Sequence, residues 1–139
     1  MKEVYTIFLS VQSRRKDVIS FLEELNKLLE REDFSIDTDF ILIKKKKPND
    51  EKHSTPYTLL DLDYDIWDVV ERLKELTVSD YSETKIDKDD FDPPLLFVFG
   101  KDINRKLVYV KLKIKGEQRR RVLCVSFHYA RSPMTFPYA

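Results

Sequence analysis

Two runs near the C-terminal end constrain this chain most: residues 107–114 (LVYVKLKI) and 122–130 (VLCVSFHYA), separated by the polar KGEQRRR. Both alternate between apolar and polar positions, the period of a half-buried strand, and together they predict an antiparallel hairpin. In the first run Val108, Val110, Leu112 and Ile114 face one way, with Tyr109, Lys111 and Lys113 opposite. In the second, strict alternation puts Leu123, Val125 and Phe127 on the apolar side and Cys124, Ser126 and His128 on the other. An even-numbered loop sets Lys111 across from Cys124 and Tyr109 across from Ser126. Tyr109, Lys111, Lys113, Ser126 and His128 are therefore expected on a single sheet face.

The 139 residues fit one domain, and 42% hydrophobic content with nine Phe and seven Tyr is enough to bury a core. Residues 3–11 (EVYTIFLSV) read as a strand. Residues 14–31 place Val18, Leu22, Leu25 and Leu29 on one helical stripe, with Ser13 as N-cap. Residues 39–45 read as a strand entering a lysine run, and 46–56, with Pro48 and Pro56, as a loop. A second helix is expected over 65–76, with Val69, Val70, Leu73 and Leu76 buried and Trp67 in the core beside them. The acidic stretch 87–94 predicts a mobile surface loop, 95–99 (LLFVF) the first strand of a C-terminal meander, and 132–138 an extended tail over the sheet. The expected class is α+β, with two main helices packed on a mainly antiparallel sheet that ends in a three-stranded meander.

The zero formal charge conceals a division. Residues 101–139 hold ten Lys and Arg against Asp102 and Glu117, a net of +8, so the first hundred residues carry −8. A basic half points to an anionic partner. One cysteine, Cys124, and two histidines exclude an internal disulfide framework and offer too few soft ligands for zinc. A reduced, cytoplasmic protein without metal or cofactor is the expectation. No run approaches the ~20 apolar residues of a membrane span, and the apolar patch near Met1 is short for a signal peptide.

Five strings carry a family resemblance: LTVSDY at 76–81, FVFGK at 97–101, VYVKLK at 108–113, VLCVSFH at 122–128 and PMTFPY at 133–138. In this order and spacing, across 59–138, the chain resembles the MqsR family of toxins from type II toxin–antitoxin systems. The resemblance implies a RelE-like fold and mRNA interferase activity, an endoribonuclease restrained by an antitoxin encoded next door. It makes mRNA, the cognate antitoxin and the ribosome the candidate partners. Tyr109 falls on a functional tyrosine of the family, and His128 falls where the best-studied members carry lysine. Two positions depart from the pattern. The family's functional lysine aligns with Glu83, leaving Lys85 as the nearest substitute, and a functional glutamine aligns near Val98.

Metal-free RNA cleavage needs a proton taken from the 2′-hydroxyl, a positive field for the phosphorane, and a proton for the leaving oxygen. His128 is the natural proton carrier. Lys111 supplies charge, and Tyr109 donates a hydrogen bond or stacks on a base. Whether His128 or a lysine acts as base stays open. Lys113, Arg119, Arg120, Arg121, Lys85 and Lys101 are the candidate RNA contacts. The lysine run at 44–47 reads equally as a backbone contact or a solvated strand end, and His53 in its polar loop carries no signal. Each candidate has a plainer reading as a solvated or packing residue. The alternative function is a catalytically silent relative that binds RNA or protein, favoured by Glu83 and Val98. A small-ligand phosphodiesterase is disfavoured because Gly100 and Gly116 are the only glycines.

Overall fold

A computed structural model describes residues 10–139. Its elements are β1 (Ser10–Val11), α1 (Arg15–Leu29), β2 (Phe40–Leu42), α2 (Thr55–Leu62), α3 (Ile66–Lys74), β3 (Tyr81–Ile86), β4 (Leu95–Ile103), β5 (Lys106–Lys115) and β6 (Arg121–Tyr129). Short 3₁₀ turns at Glu51–His53 and Val78–Asp80 precede α2 and β3. Most of the strand expected at 3–11 lies outside the described residues. The six strands form one open sheet in the order β1-β3-β4-β5-β6-β2, antiparallel except where β2 joins β6. The α+β class is thus observed, with three helices among the described residues.

The expected hairpin forms between β5 and β6, but a bulge shifts its register. Lys111 pairs with Ser126 while Leu112 pairs with Cys124, so Val125 is the extra residue. One inserted residue reverses which face each later side chain takes. The alternation of 122–130 is therefore broken, and Cys124, with no exposed surface, lies on the core side with Val122 and Phe127. Leu123, across from Lys113, takes the other face. Beyond the bulge Ser126 pairs with Lys111 and His128 with Tyr109, so the expected cross-strand partners Cys124 and Ser126 are each replaced.

The helices cover one face. Val18, Leu22, Leu25 and Leu29 of α1 and Val69, Val70 and Leu73 of α3 pack with Phe99, Val110, Leu112 and Phe127 of the sheet. Each fully buried Val or Leu contributes ~1.5–3 kcal/mol by leaving water. Trp67 was expected in this core, but it is 51% exposed, because the helical stripe through Val69, Val70 and Leu73 turns its side outward.

Helix α2 occupies part of the stretch expected to be a loop. Ser54 caps it by accepting from Tyr57 N, and Pro56 sits in the first turn, where its missing N–H is not needed. Its threonines close an open edge. β2 pairs with β6 only as far as Cys124, and beyond that Phe127 N donates to Thr55 Oγ1 and Tyr129 N to Thr58 Oγ1. A buried strand edge without such partners leaves costly orphan donors. This contact seats residues 43–54 beside the other sheet face.

That face is crossed at one end by the tail. Met134 and Thr135 line it and Phe136 packs on Gly100, and the tail then reaches the helix side, where Tyr138 stacks on Tyr81 at 5.7 Å. A Cβ at residue 100 would stand 2.7 Å from the Phe136 ring, so glycine is what admits the tail. The expected packing of 132–138 over the sheet is observed at these contacts.

Candidate functional site

Opposite the helices the sheet carries a cleft of about 580 Å³. Tyr109, Lys111, Ser126 and His128 form its floor, Lys85 and Glu83 stand on the β3 side, and Lys45, Lys47 and Arg131 on the other. Four cationic side chains therefore surround a floor of one phenol, one ammonium, one hydroxyl and one imidazole.

His128 is 8% exposed, and its ring lies flat against that of Tyr109, with centroids 5.1 Å apart and 12° between planes. Its Nδ1 is 2.9 Å from the Tyr129 carbonyl oxygen, which can only accept, so Nδ1 carries the proton. Nε2 is left with a lone pair, 3.4 Å from the Lys47 ammonium. Lys47 is itself held by donating to the His53 carbonyl at 2.9 Å. Burial holds the His128 pKa below the ordinary histidine value against the pull of the Tyr129 bond, and Lys47, Lys111 and His53 depress it further. The imidazole is neutral at neutral pH, with its basic nitrogen toward the cations.

The other floor groups respond to the same desolvation. Burial, aided by Glu83, pushes the Tyr109 phenol up to about 12, so it remains a hydrogen-bond donor. Burial and then Lys85 and Lys47 bring Lys111 below the usual lysine range. Lys47 is lowered chiefly by burial, partly opposed by Asp50. Replacing Lys47 by Met removes one repelling charge from beside His128. The expected result is a rise in the His128 pKa, read from its ring proton shifts in an NMR titration. An unchanged midpoint would show that Lys47 exerts no field on the ring.

Of the residues picked from the sequence, Tyr109, Lys111, His128 and Lys85 come together here. Lys113 shares the face but is 1% exposed, its ammonium bound to Asp87 and Asp90 of the β3–β4 loop. That loop, expected to be mobile, is thereby anchored. Arg119 grips Asp39 with two hydrogen bonds of 2.7 and 2.6 Å, and Arg120 pairs with Glu24 of α1. Lys101 reaches Glu75 on the helix side. Arg121, opposite Lys115 at the far end of the hairpin, is exposed and does not line the cleft. These five basic residues therefore add nothing to the cleft wall.

Lys45, Lys47, Arg131 and Glu83 complete the site. The lysine run and the family alignment of Glu83 hinted at this, but the parallel pairing of β2 with β6 that delivers the lysines has no local signature. Among the described residues, no group of three or more His, Cys, Asp and Glu side chains is placed to hold a metal ion. None of the helices is long and apolar enough to cross a membrane, again among the described residues.

No protein-family model, curated protein or solved structure matches this chain.

Proposed function

We propose that this protein is an endoribonuclease that cleaves mRNA by 2′-hydroxyl attack, of the MqsR kind, with a RelE-like fold and a cognate antitoxin. The observation that carries the reading is the convergence of Tyr109, Lys111 and His128 on one desolvated floor ringed by cations. His128 Nε2 takes the proton of the attacking hydroxyl, the 2′-oxygen bonds to phosphorus as the bond from phosphorus to the 5′-oxygen breaks, and the leaving oxygen takes its proton from water. Lys111, with Lys47 and Arg131, meets the charge growing on the phosphorane, and Tyr109 donates to a non-bridging oxygen. Charge met by preplaced donors in a site of low dielectric is usually the largest contribution to catalysis. The five-string resemblance and the meander β4-β5-β6 support the same assignment.

A second reading has its own observation. Lys47 occupies the His128 lone pair, and Glu83 places a carboxylate on the cleft wall, both of which suit a protein that binds RNA without cutting it.

Incubation of the purified protein with mRNA in the presence of a chelator tests the choice. Cleavage leaving 2′,3′-cyclic phosphate ends, absent from 2′-O-methyl RNA and reduced about 10²-fold by Lys111→Ala, is the expected result. Retention of intact RNA by a protein that still binds it would overturn cleavage in favour of the silent relative. Expression in a host separates the readings further, since an active toxin arrests growth.

A further inference from the structure

Residues 131–133 bound one end of the cleft. Arg131, Ser132 and Pro133 line it and also line a second hollow of about 620 Å³ on their far side. Lys52, His53, Tyr57, Lys106 and Tyr129 form the rest of that hollow's principal wall. The chemistry proposed for the first cleft uses none of these five side chains.

The second hollow has its own organisation. Asp50 underlies it, with Oδ1 2.6 Å from His53 Nδ1 and Oδ2 3.3 Å from Arg131 Nε. The carboxylate therefore fixes the imidazole by one nitrogen and leaves Nε2 on the other side of the ring. Arg131, whose Nε forms an ion pair but no hydrogen bond with Asp50, has its side chain 76% exposed, so its guanidinium is open to a ligand. Lys106 lies over the Tyr129 ring at 4.8 Å and pairs with Asp61, and Tyr57 meets the same ring edge-on at 6.4 Å. Lys52 is exposed and has no ion pair among the described residues. Cations interleaved with aromatic rings are what a single nucleic-acid strand requires, the cations for its phosphates and the ring faces for its bases.

We infer that the second hollow is a subsite for the nucleotide next to the one bound in the first cleft, so that one RNA strand crosses Arg131 and touches both. This rests on the RNA reading above. Arg131 would hold the phosphate between the two nucleotides, Lys52 and Lys106 the next phosphate, and Tyr57 the base.

The test is fluorescence anisotropy with labelled 2′-O-methyl oligonucleotides, which cannot undergo 2′-hydroxyl attack, of two and of eight nucleotides. The variants are Lys52→Ala and Lys52→Ala/Lys106→Ala in the full chain. The double variant is expected to bind the longer strand about tenfold more weakly, with a salt dependence lower by about one to two phosphate contacts, and to bind the dinucleotide unchanged. Lys52→Ala alone, at an exposed turn position, is expected to give part of the same length-selective loss. Equal weakening at both lengths in Lys52→Ala, or no loss on the longer strand, overturns the subsite while leaving RNA binding in place. An unaltered protein that binds neither length overturns both readings.

Discussion

Replacing His128 by alanine is expected to lower RNA cleavage by about 10²–10⁴-fold, the usual contribution of a positioned acid–base group. The geometry also dictates how the unaltered protein responds to pH. Nε2 accepts a proton only when the imidazole is neutral, and burial together with Lys47 and Lys111 holds the ring's pKa below its ordinary value. The rate should therefore rise with pH through a midpoint on the acid side of ~6.5, below that of a solvated histidine. Lys47→Met should shift this limb toward higher pH, because the repulsion that keeps the ring neutral is reduced. The measurement is kcat/KM against pH in chelator for the unaltered protein, His128→Ala and Lys47→Met. A His128→Ala variant that keeps both the rate and the acid limb would remove the imidazole from the mechanism, and Tyr109 and Lys111 would then have to work without a base.

The floor of this site was legible in the sequence because period two survives in β5, which places Tyr109, Lys111 and Lys113 together without knowledge of the partner strand. The identity of their neighbours was not. Val125 looks like any other apolar residue of an alternating run, yet as a bulge it sends Cys124 to the core and sets His128 directly against Tyr109. The walls were hidden for a different reason. Lys45, Lys47 and Arg131 reach the cleft through contacts between distant segments, β2 along β6 and Thr55 and Thr58 on its open edge, which no local pattern announces. Charge was equally ambiguous. Of the arginines at 119–121, two are consumed by Asp39 and Glu24, residues from the acidic half of the chain. The division of charge thus serves the fold at this end of the hairpin and a ligand only at the cleft.

Lys113 shows how far a basic residue on the right face can depart from the role its position suggests. Its ammonium lies 2.6 Å from Asp87 Oδ2, 3.2 Å from Asp90 Oδ2 and 3.1 Å from each of the Asp90 and Pro93 carbonyl oxygens. Four acceptors surround three N–H donors, with 2% of the side chain exposed, so this lysine fastens the loop between β3 and β4 and is closed to RNA. Lys113→Met keeps the apolar stem and removes the charge, leaving the Asp87 carboxylate, 12% exposed, without its closest cation. Removing one partner of a buried pair costs ~3–5 kcal/mol, a large share of the ~5–15 kcal/mol that holds a domain folded. Acid should reveal the cause. In the unaltered protein burial raises the Asp87 pKa, but Lys113 and the Asp89 and Asp90 amides outweigh it, so the pKa ends below the ordinary value. A depressed carboxylate stabilises above its unfolded pKa of ~3.9 and loses that stabilisation as pH falls through the folded value. In Lys113→Met burial loses its main opponent and Asp87 moves the other way, so protonation relieves the variant while it weakens the parent. The gap between the two in chemical denaturation should be widest at neutral pH and narrow toward pH ~4. A gap under ~1 kcal/mol, or one that stays constant with pH, would mean that the ammonium contributes no more than an exposed pair does.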